Sequence, residues 1–261
     1  MLGAIVGDIA GSRFELVHAQ TKNFEWFTKK SRFSDDTILT LAVCEALLRT
    51  DGTVKGLAQE AATLFKSYVL RYPRGGYGAK FLTWALTEDS RPYGSFGNGS
   101  AMRVSPCAYA ARSLEEALDL AEAVTMVTHN HPEGIKGAKA LTAACFLAKT
   151  GQSREYIRHY LCEHYYRLDL TVDEIRPTYR FGNTCPETVP QALEAFLEAG
   201  SFEEAVCNAI SLGGDTDTLG SMAGAVAGLY FGVPESIAKK ALSYLDRDLR
   251  ETLARFESRF S

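Results

Sequence analysis

Apolar residues return every three to four positions along most of the chain, the period of amphipathic helices. The clearest early case runs from Thr37 to Arg49, with apolar residues at 38, 39, 41, 42, 46 and 47 on one face, and Asp51-Gly52 stops it. A second helix is predicted from Val54 to Tyr68, followed by the loop Arg71–Gly78 and a short helical turn from Phe81 to Leu86. From Leu114 onward the period is helical almost throughout. It predicts Leu114–Thr128, Pro132–Lys149, Ser153–Leu161, Pro186–Ala199, Phe202–Ser211, Thr218–Phe231, Pro234–Leu245 and Asp246–Phe256. Pro132, Pro186 and Pro234 fall at or near predicted starts, where a missing N–H does no harm. Ahead of all these, Gly3 to Glu15 reads as a short buried helix broken at Gly11, its small residues suited to close packing. Leu16 to Phe33 has no clear period and reads as loop. No segment alternates as a strand would, and there is no repeat, low-complexity tract or Pro/Ser linker. The pattern predicts one all-α domain over residues 1–261, a compact multi-helix stack.

Composition narrows the class. At 46% hydrophobic and 23% charged residues, the chain has an ordinary globular core to bury. A formal net charge of −4 argues against a nucleic-acid surface as the main partner, which needs a basic field. The six cysteines stand singly, with no Cys-x-x-Cys pair, the pattern of free thiols in a reducing compartment. The start Met1-Leu2-Gly3-Ala4-Ile5-Val6-Gly7-Asp8 lacks the basic region of a signal peptide. The apolar run Leu219–Phe231 is too short and glycine-rich for a bilayer, which takes about 20 residues. A soluble, cytoplasmic protein without a membrane partner is expected.

The chemistry concentrates in two acidic clusters. Gly213-Gly214-Asp215-Thr216-Asp217-Thr218 opens a small-residue apolar run, and Ser34-Asp35-Asp36-Thr37 opens another far upstream. Asp and Thr at a helix start also serve as caps, so capping is the plain alternative at Asp215. An EF-hand is excluded: its fifth and twelfth positions would be Leu219 and Val226, which cannot ligate. Brought together, the clusters offer four carboxylates plus hydroxyls and no Cys or His. Such hard oxygen donors suit Mg²⁺, Mn²⁺ or Ca²⁺ rather than zinc. Without a cation, like charges raise each other's pKa and cannot all stay ionised.

A glycine-rich loop, Gly94–Arg103, is the second candidate, because successive N–H groups there can form an anion-binding nest. It is neither a Walker loop nor a dinucleotide fingerprint, and a plain tight turn is the alternative. Phe96 beside it is suited to stack on a base or ribose, or to plug the core. His129 and His131 flank Asn130 just before a predicted helix; their readings are a hydrogen bond to phosphate or ribose, or helix capping. His-x-His alone is thin evidence for zinc, and no Gly-x-Ser-x-Gly elbow is present.

Together these pieces resemble a known family. Gly7-Asp8, Phe33–Thr37, Ser95–Arg103, Thr128-His129 and Gly213–Thr218 occur in the order seen in the ADP-ribosylglycohydrolases, over about residues 3 to 232. The resemblance implies an all-α fold with a binuclear Mg²⁺ (or Mn²⁺) centre. Carried over residue by residue, it implies metal ligation by Ser34, Asp35, Asp36, Asp215, Asp217 and Thr218. It also implies ADP-ribose contacts from Phe96, Gly97, Asn98, Gly99, Ser100, Met102 and His129. Glu15 and Asp36 are the candidates for catalysis. Ser34 stands where Thr is more common, which keeps the hydroxyl. The implied activity is hydrolysis of the bond between C1″ of ADP-ribose and an acceptor, with an ADP-ribosylated protein as the partner. The alternatives are a hydrolase of free derivatives such as O-acetyl-ADP-ribose or of ADP-ribosylated nucleic acid, and a non-catalytic ADP-ribose-binding protein. The acceptor-recognising segments of arginine-specific members are absent, and the Arg74–Gly78 loop is the candidate stand-in.

Overall fold

The computed structural model describes residues 1–15, 20–88 and 90–260. Its elements follow from the helical period and from caps. The first helix, α1 (Leu2–Gly11), is buried from Gly3 to Gly11 and carries one charge, Asp8. Helix α2 (Asp35–Arg49) starts where the Ser34 hydroxyl accepts the Asp36 N–H, and α3 (Leu57–Arg71) and α4 (Ala79–Leu86) follow it. After a 3₁₀ turn at Asn98–Ser100 come α5 (Ser105–Ala110) and α6 (Leu114–Met126), the latter capped by Ser113. Next are α7 (Pro132–Lys149), α8 (Arg154–His164) and α9 (Val172–Ile175), the last closed by a Thr171–Glu174 capping box. The chain ends with α10 (Cys185–Glu198), α11 (Phe202–Ile210), α12 (Thr216–Tyr230), α13 (Glu235–Leu242) and α14 (Arg247–Phe260). Among the described residues the only β-type pairing is one isolated bridge, Gly97 with Thr184. The fold is all-α.

The centre of the stack is α1 lying antiparallel on α12. Gly3 meets Gly224 and Gly228, Gly7 meets Gly220, and Gly11 meets Thr216. Each contact is backbone on backbone: a Cβ at Gly3, Gly7 or Gly11 would overlap a carbonyl of α12. Helix α12, buried from Thr216 to Ala227, is then wrapped by α7, α10 and α11. Helices α3, α5 and α14 pack around α2. One core joins the layers, from Met1 at the start of α1 to Phe256 on α14.

The predicted elements recur with shifted ends. Helix α3 begins at Leu57 rather than Val54, because Gly56, its N-cap, takes a left-handed φ of 78°. Helix α1 stops at Gly11, as the predicted break implied, and a turn carries the chain to Glu15. Helices α5 and α9 were not expected: six and four residues are too short to show a period. Of the expected loop Leu16–Phe33, residues 16–19 lie outside the described residues, and 20–33 form turns and extended chain. That segment is laid against the stack by aromatic pairs, Phe14 with Phe24 at 5.0 Å and Trp26 with Phe202 at 6.3 Å. The Arg32 N–H donates to the Ser12 hydroxyl at 3.1 Å, which brings Ser34 to the end of α1.

Close packing of this kind leaves no room to relax. Gly3→Ala, far from the acidic clusters, should cost about 3 kcal/mol through overpacking and lower Tm by roughly 6–12 °C. Gly78, with no atom within 4 Å of a built Cβ, is the control. Gly78→Ala should stay within about 1 kcal/mol of the parent. Equal melting temperatures for Gly3→Ala and the parent would show that α1 and α12 can separate at no cost.

Candidate functional site

Asp8 is where the site begins. It lies one turn before the end of α1, fully buried. Its carboxylate accepts the Ser34 N–H (3.0 Å), the Ser34 hydroxyl (2.8 Å), the Thr37 N–H (3.1 Å) and the Thr37 hydroxyl. Four donors on one carboxylate fix the N-terminus of α2 to α1. Sequence reasoning did not assign Asp8 a role; its signal was a lone charge in an otherwise apolar helix.

The two acidic clusters meet. The Thr218 hydroxyl donates to Asp36 Oδ2 at 3.1 Å, across 182 residues of chain. Glu15, Asp215 and Asp217 each place one carboxylate oxygen within 4.8 Å of the others. At the turn into α12, Gly213 and Gly214 hold φ of 78° and 71°, a conformation that resists side chains. The turn leaves Asp215 at the N-cap position, but its side chain caps nothing. Instead Asp215 Oδ2 accepts the Asn98 amide at 2.6 Å, so the capping alternative fails there. At Ser34 capping and clustering coexist, since the same hydroxyl serves Asp36 N–H and Asp8.

These carboxylates stand in a low-dielectric setting with few compensating charges. Burial pushes Asp8 up despite its four donors. Burial and then Asp8 push Asp35 up to about 8. Asp36 is raised well above its ordinary value by burial, then by Asp8 and Asp35. Asp217 is raised likewise by burial, then by Asp215 and Asp36. Glu15, nearer solvent, is raised by burial and by Asp215, against an opposing pull from Arg32. Asp36 Oδ1 is buried with no hydrogen-bond partner. An orphaned carboxylate oxygen among oxygen donors fits a hard divalent cation, which would fill that valence and offset the repulsion.

A cavity of about 490 Å³ opens over the clusters, within the usual range for small-molecule sites. Glu15, Ser34, Asp35, Asp36, Asp215, Asp217 and Thr218 line it. Phe96, Gly97, Asn98, Gly99, Met102 and His129 line it too. Ser100 does not: it is fully buried, and its hydroxyl serves the carbonyls of Gly97 and Gly134 and touches Cys185 Sγ. Its place is behind the wall, bracing the turn.

The loop is less open than a nest of amides requires. The Gly97 N–H goes to Ser95 Oγ, that of Asn98 to Asn183 O, that of Ser100 to Gly97 O and that of Ala101 to Asn98 O. Among the described residues only the Gly99 N–H in the run Gly97–Ala101 is free, because Ser95, the bridge beside Thr184 and the 3₁₀ turn take up the others. The two histidines also part ways. His131 Nδ1 accepts the Glu133 N–H and caps α7, its ring 5.0 Å from that of half-exposed Phe96. His129 is buried beside Gly97 and Gly99, with Nδ1 2.7 Å from the Thr128 hydroxyl. Arg103, Phe181 and Asn183 also line the cavity; Arg103 closes the glycine-rich motif but was given no role of its own, and Phe181 and Asn183 were not singled out from the sequence, where they are isolated residues without spacing.

The family model described as ADP-ribosylglycohydrolase matches residues 1–260. The chain is similar to ADP-ribosylhydrolase ARH3 of Homo sapiens, 26% identical over 328 residues, covering 95% of this chain and 90% of that protein. That span exceeds the 261 residues here, so the relative carries insertions this chain lacks. It is also similar to the ADP-ribosyl-[dinitrogen reductase] glycohydrolase of Rhodospirillum rubrum, 27% identical over 280 residues, covering 97% and 91% of the two chains. A solved structure described as an ADP-ribosylglycohydrolase-related protein complex shares the fold with a TM-score of 0.67 at 23% identity, covering 99% and 96%.

The raised carboxylates have a consequence for stability. Their folded-state pKa values lie above the unfolded values, so between the two the folded chain holds more protons and stability falls as pH rises. In chelator, Tm should decline from about pH 4 to about pH 8, the window set by the Asp35 shift. Asp35→Asn should make that decline shallower, and added Mg²⁺ or Mn²⁺ should flatten it. A Tm that rises over this range in chelator would mean the cluster is not strained as described.

Proposed function

The chain belongs to the ADP-ribosylglycohydrolase family, and from that premise we propose that it hydrolyses the bond joining C1″ of ADP-ribose to an acceptor, with protein side chains as the acceptor class. The observation that carries the proposal is the cavity that buried carboxylates share with Phe96, Gly99 and His129. Two Mg²⁺ (or Mn²⁺) ions are proposed on Ser34, Asp35, Asp36, Asp215, Asp217 and Thr218, the donor set whose orphaned Asp36 oxygen and mutual repulsion favour cations. When bound, such ions supply charge neutralisation and Lewis acidity toward sugar and water oxygens.

The residues of the chain do the rest. Asn98 holds Asp215 and Thr218 holds Asp36 by direct hydrogen bonds, so the acidic face is set before substrate arrives. Phe96, half-exposed at the rim, offers a face to the adenosine, while Gly97, Gly99 and Met102 shape the wall for the diphosphate. Glu15 is the proposed proton acceptor for the attacking water: burial and Asp215 raise its basicity, and it remains partly open to solvent. Water oxygen bonds to C1″, the bond from C1″ to the acceptor breaks, and the displaced proton ends on the acceptor. Free thiols at all six cysteines agree with a cytoplasmic setting. Among the described residues no helix is long and apolar enough to cross a membrane.

A panel of ADP-ribosylated arginine and serine peptides, ADP-ribosylated nucleic acid and O-acetyl-ADP-ribose, each with and without chelator, tests the proposal. Release of ADP-ribose from a protein-type substrate, lost in chelator and restored by Mg²⁺ or Mn²⁺, is expected. No release from any of the four in Mg²⁺ or Mn²⁺ would overturn the activity, and undiminished turnover in excess chelator would overturn the metal requirement. Glu15→Gln should lower kcat by ~10²–10⁴ while ADP-ribose affinity changes much less. A kcat within threefold of the parent would remove Glu15 from the chemistry.

A further inference from the structure

Arg103 is fully buried, and its guanidinium lies over the Phe65 ring, 4.4 Å from the centroid. It has no carboxylate partner among the described residues. Its one hydrogen bond runs from Nη2 to the Thr128 hydroxyl at 2.8 Å, while Nε and Nη1 have none. The Thr128 oxygen in turn lies 2.7 Å from His129 Nδ1. An arginine can only donate, so the Thr128 oxygen accepts from it. The Thr128 hydroxyl, itself fully buried, has one proton left to place, and His129 Nδ1 is the only acceptor in contact with it among the described residues. The direction of the chain is therefore set: Arg103 donates to Thr128, and Thr128 donates to His129.

A histidine that accepts at Nδ1 carries its proton at Nε2. That nitrogen has no partner among the described residues. It faces the loop, 3.4 Å from where a Cβ on Gly99 would stand and 3.6 Å from one on Gly97. It thus neighbours Gly99, whose N–H is the one free amide of the turn among the described residues. We infer that Arg103 and Thr128 are positioning residues that hold His129 as a neutral Nε2–H donor, paired with the Gly99 N–H to receive a diphosphate oxygen. Burial and the Arg103 charge agree with this, since both hold His129 well below the usual imidazole range. Arg103 itself is lowered only to about 10 by burial and stays charged at neutral pH. A mobile imidazolium would bind an anion too, but only at low pH. A donor that never titrates near neutrality works across the physiological range.

The ligand half of this inference rests on the ADP-ribose reading above, whereas the tautomer half does not, and the test separates them. In ¹⁵N-labelled protein without ligand, long-range proton–nitrogen correlations should assign His129 as the neutral Nε2–H form from about pH 6 to 8. Thr128→Val should admit the Nδ1–H tautomer and weaken ADP-ribose binding in calorimetry about tenfold, and Thr128→Ser should restore both. An Nδ1–H or imidazolium His129 in the parent protein overturns the relay, and this needs no variant to fold. Parent-like affinity in Thr128→Val overturns the role in binding. An Nε2–H His129 in a parent protein that binds no ADP-ribose overturns the ligand half and the ADP-ribose reading, and leaves the relay standing.

Discussion

Everything at the site is referenced to the backbone contact between α1 and α12. Glycines at three successive turns of α1 let the two helices touch main chain to main chain, a spacing that side chains would prevent. The antiparallel register then has one outcome at its open end. Gly11 meets Thr216, whose hydroxyl donates to the Gly11 carbonyl at 2.9 Å. Asp8, one turn back, faces α2, and Glu15, one turn on, reaches the start of α12. Two residues far apart from Asp215 and Asp217 in sequence are delivered to them by helix packing alone.

That delivery sets a conflict which the fold does not resolve internally. Six acidic side chains are crowded into buried or half-buried positions, and burial is the largest cause of the upward shift at Asp8, Glu15, Asp35, Asp36 and Asp217. A protein selected only for stability would replace them with apolar residues of like size. Hydrogen bonds from Ser34, Thr37, Thr218 and Asn98 orient the carboxylates without neutralising them. Local stability is given up at one place in exchange for an arranged set of oxygen donors, the pattern expected where a fold breaks its own rules for a binding site.

How much of this was legible depended on length and on partners. Long helices such as α2, α7 and α12 are plain in the sequence because many apolar positions repeat. Helices α5 and α9 are not, since a single turn has no period to detect. The acidic clusters were visible as local runs, but their meeting was not. It hangs on the α1–α12 register, and glycine's small size in α1 hinted only that something packs close. Asp8 and Arg103 were the hardest to read. Each is a lone charge in apolar surroundings, and its meaning lies in donors and acceptors that come from other elements. The loop Gly97–Ser100 misled in the opposite direction. Its glycines promised several free amides, yet the bridge to Thr184 and the 3₁₀ turn leave one. Counting glycines measures what a loop can do, whereas the partners on either side decide what it does.

The depletion of amides clarifies why a histidine stands at that wall. With Gly99 as the only free N–H of the turn among the described residues, an anion there would have one backbone donor and an otherwise weak grip. A second donor must come from a side chain, and a lysine or arginine facing the cavity at that point would be drawn to the carboxylates across it. A neutral imidazole avoids that collapse, because it donates without carrying charge. The charge needed to keep it in one tautomer is on Arg103, packed against Phe65 and Phe81. The cavity thus gathers anionic oxygens and neutral donors in one space, and the cation that biases the donors is a buried arginine held against two aromatic rings and a threonine.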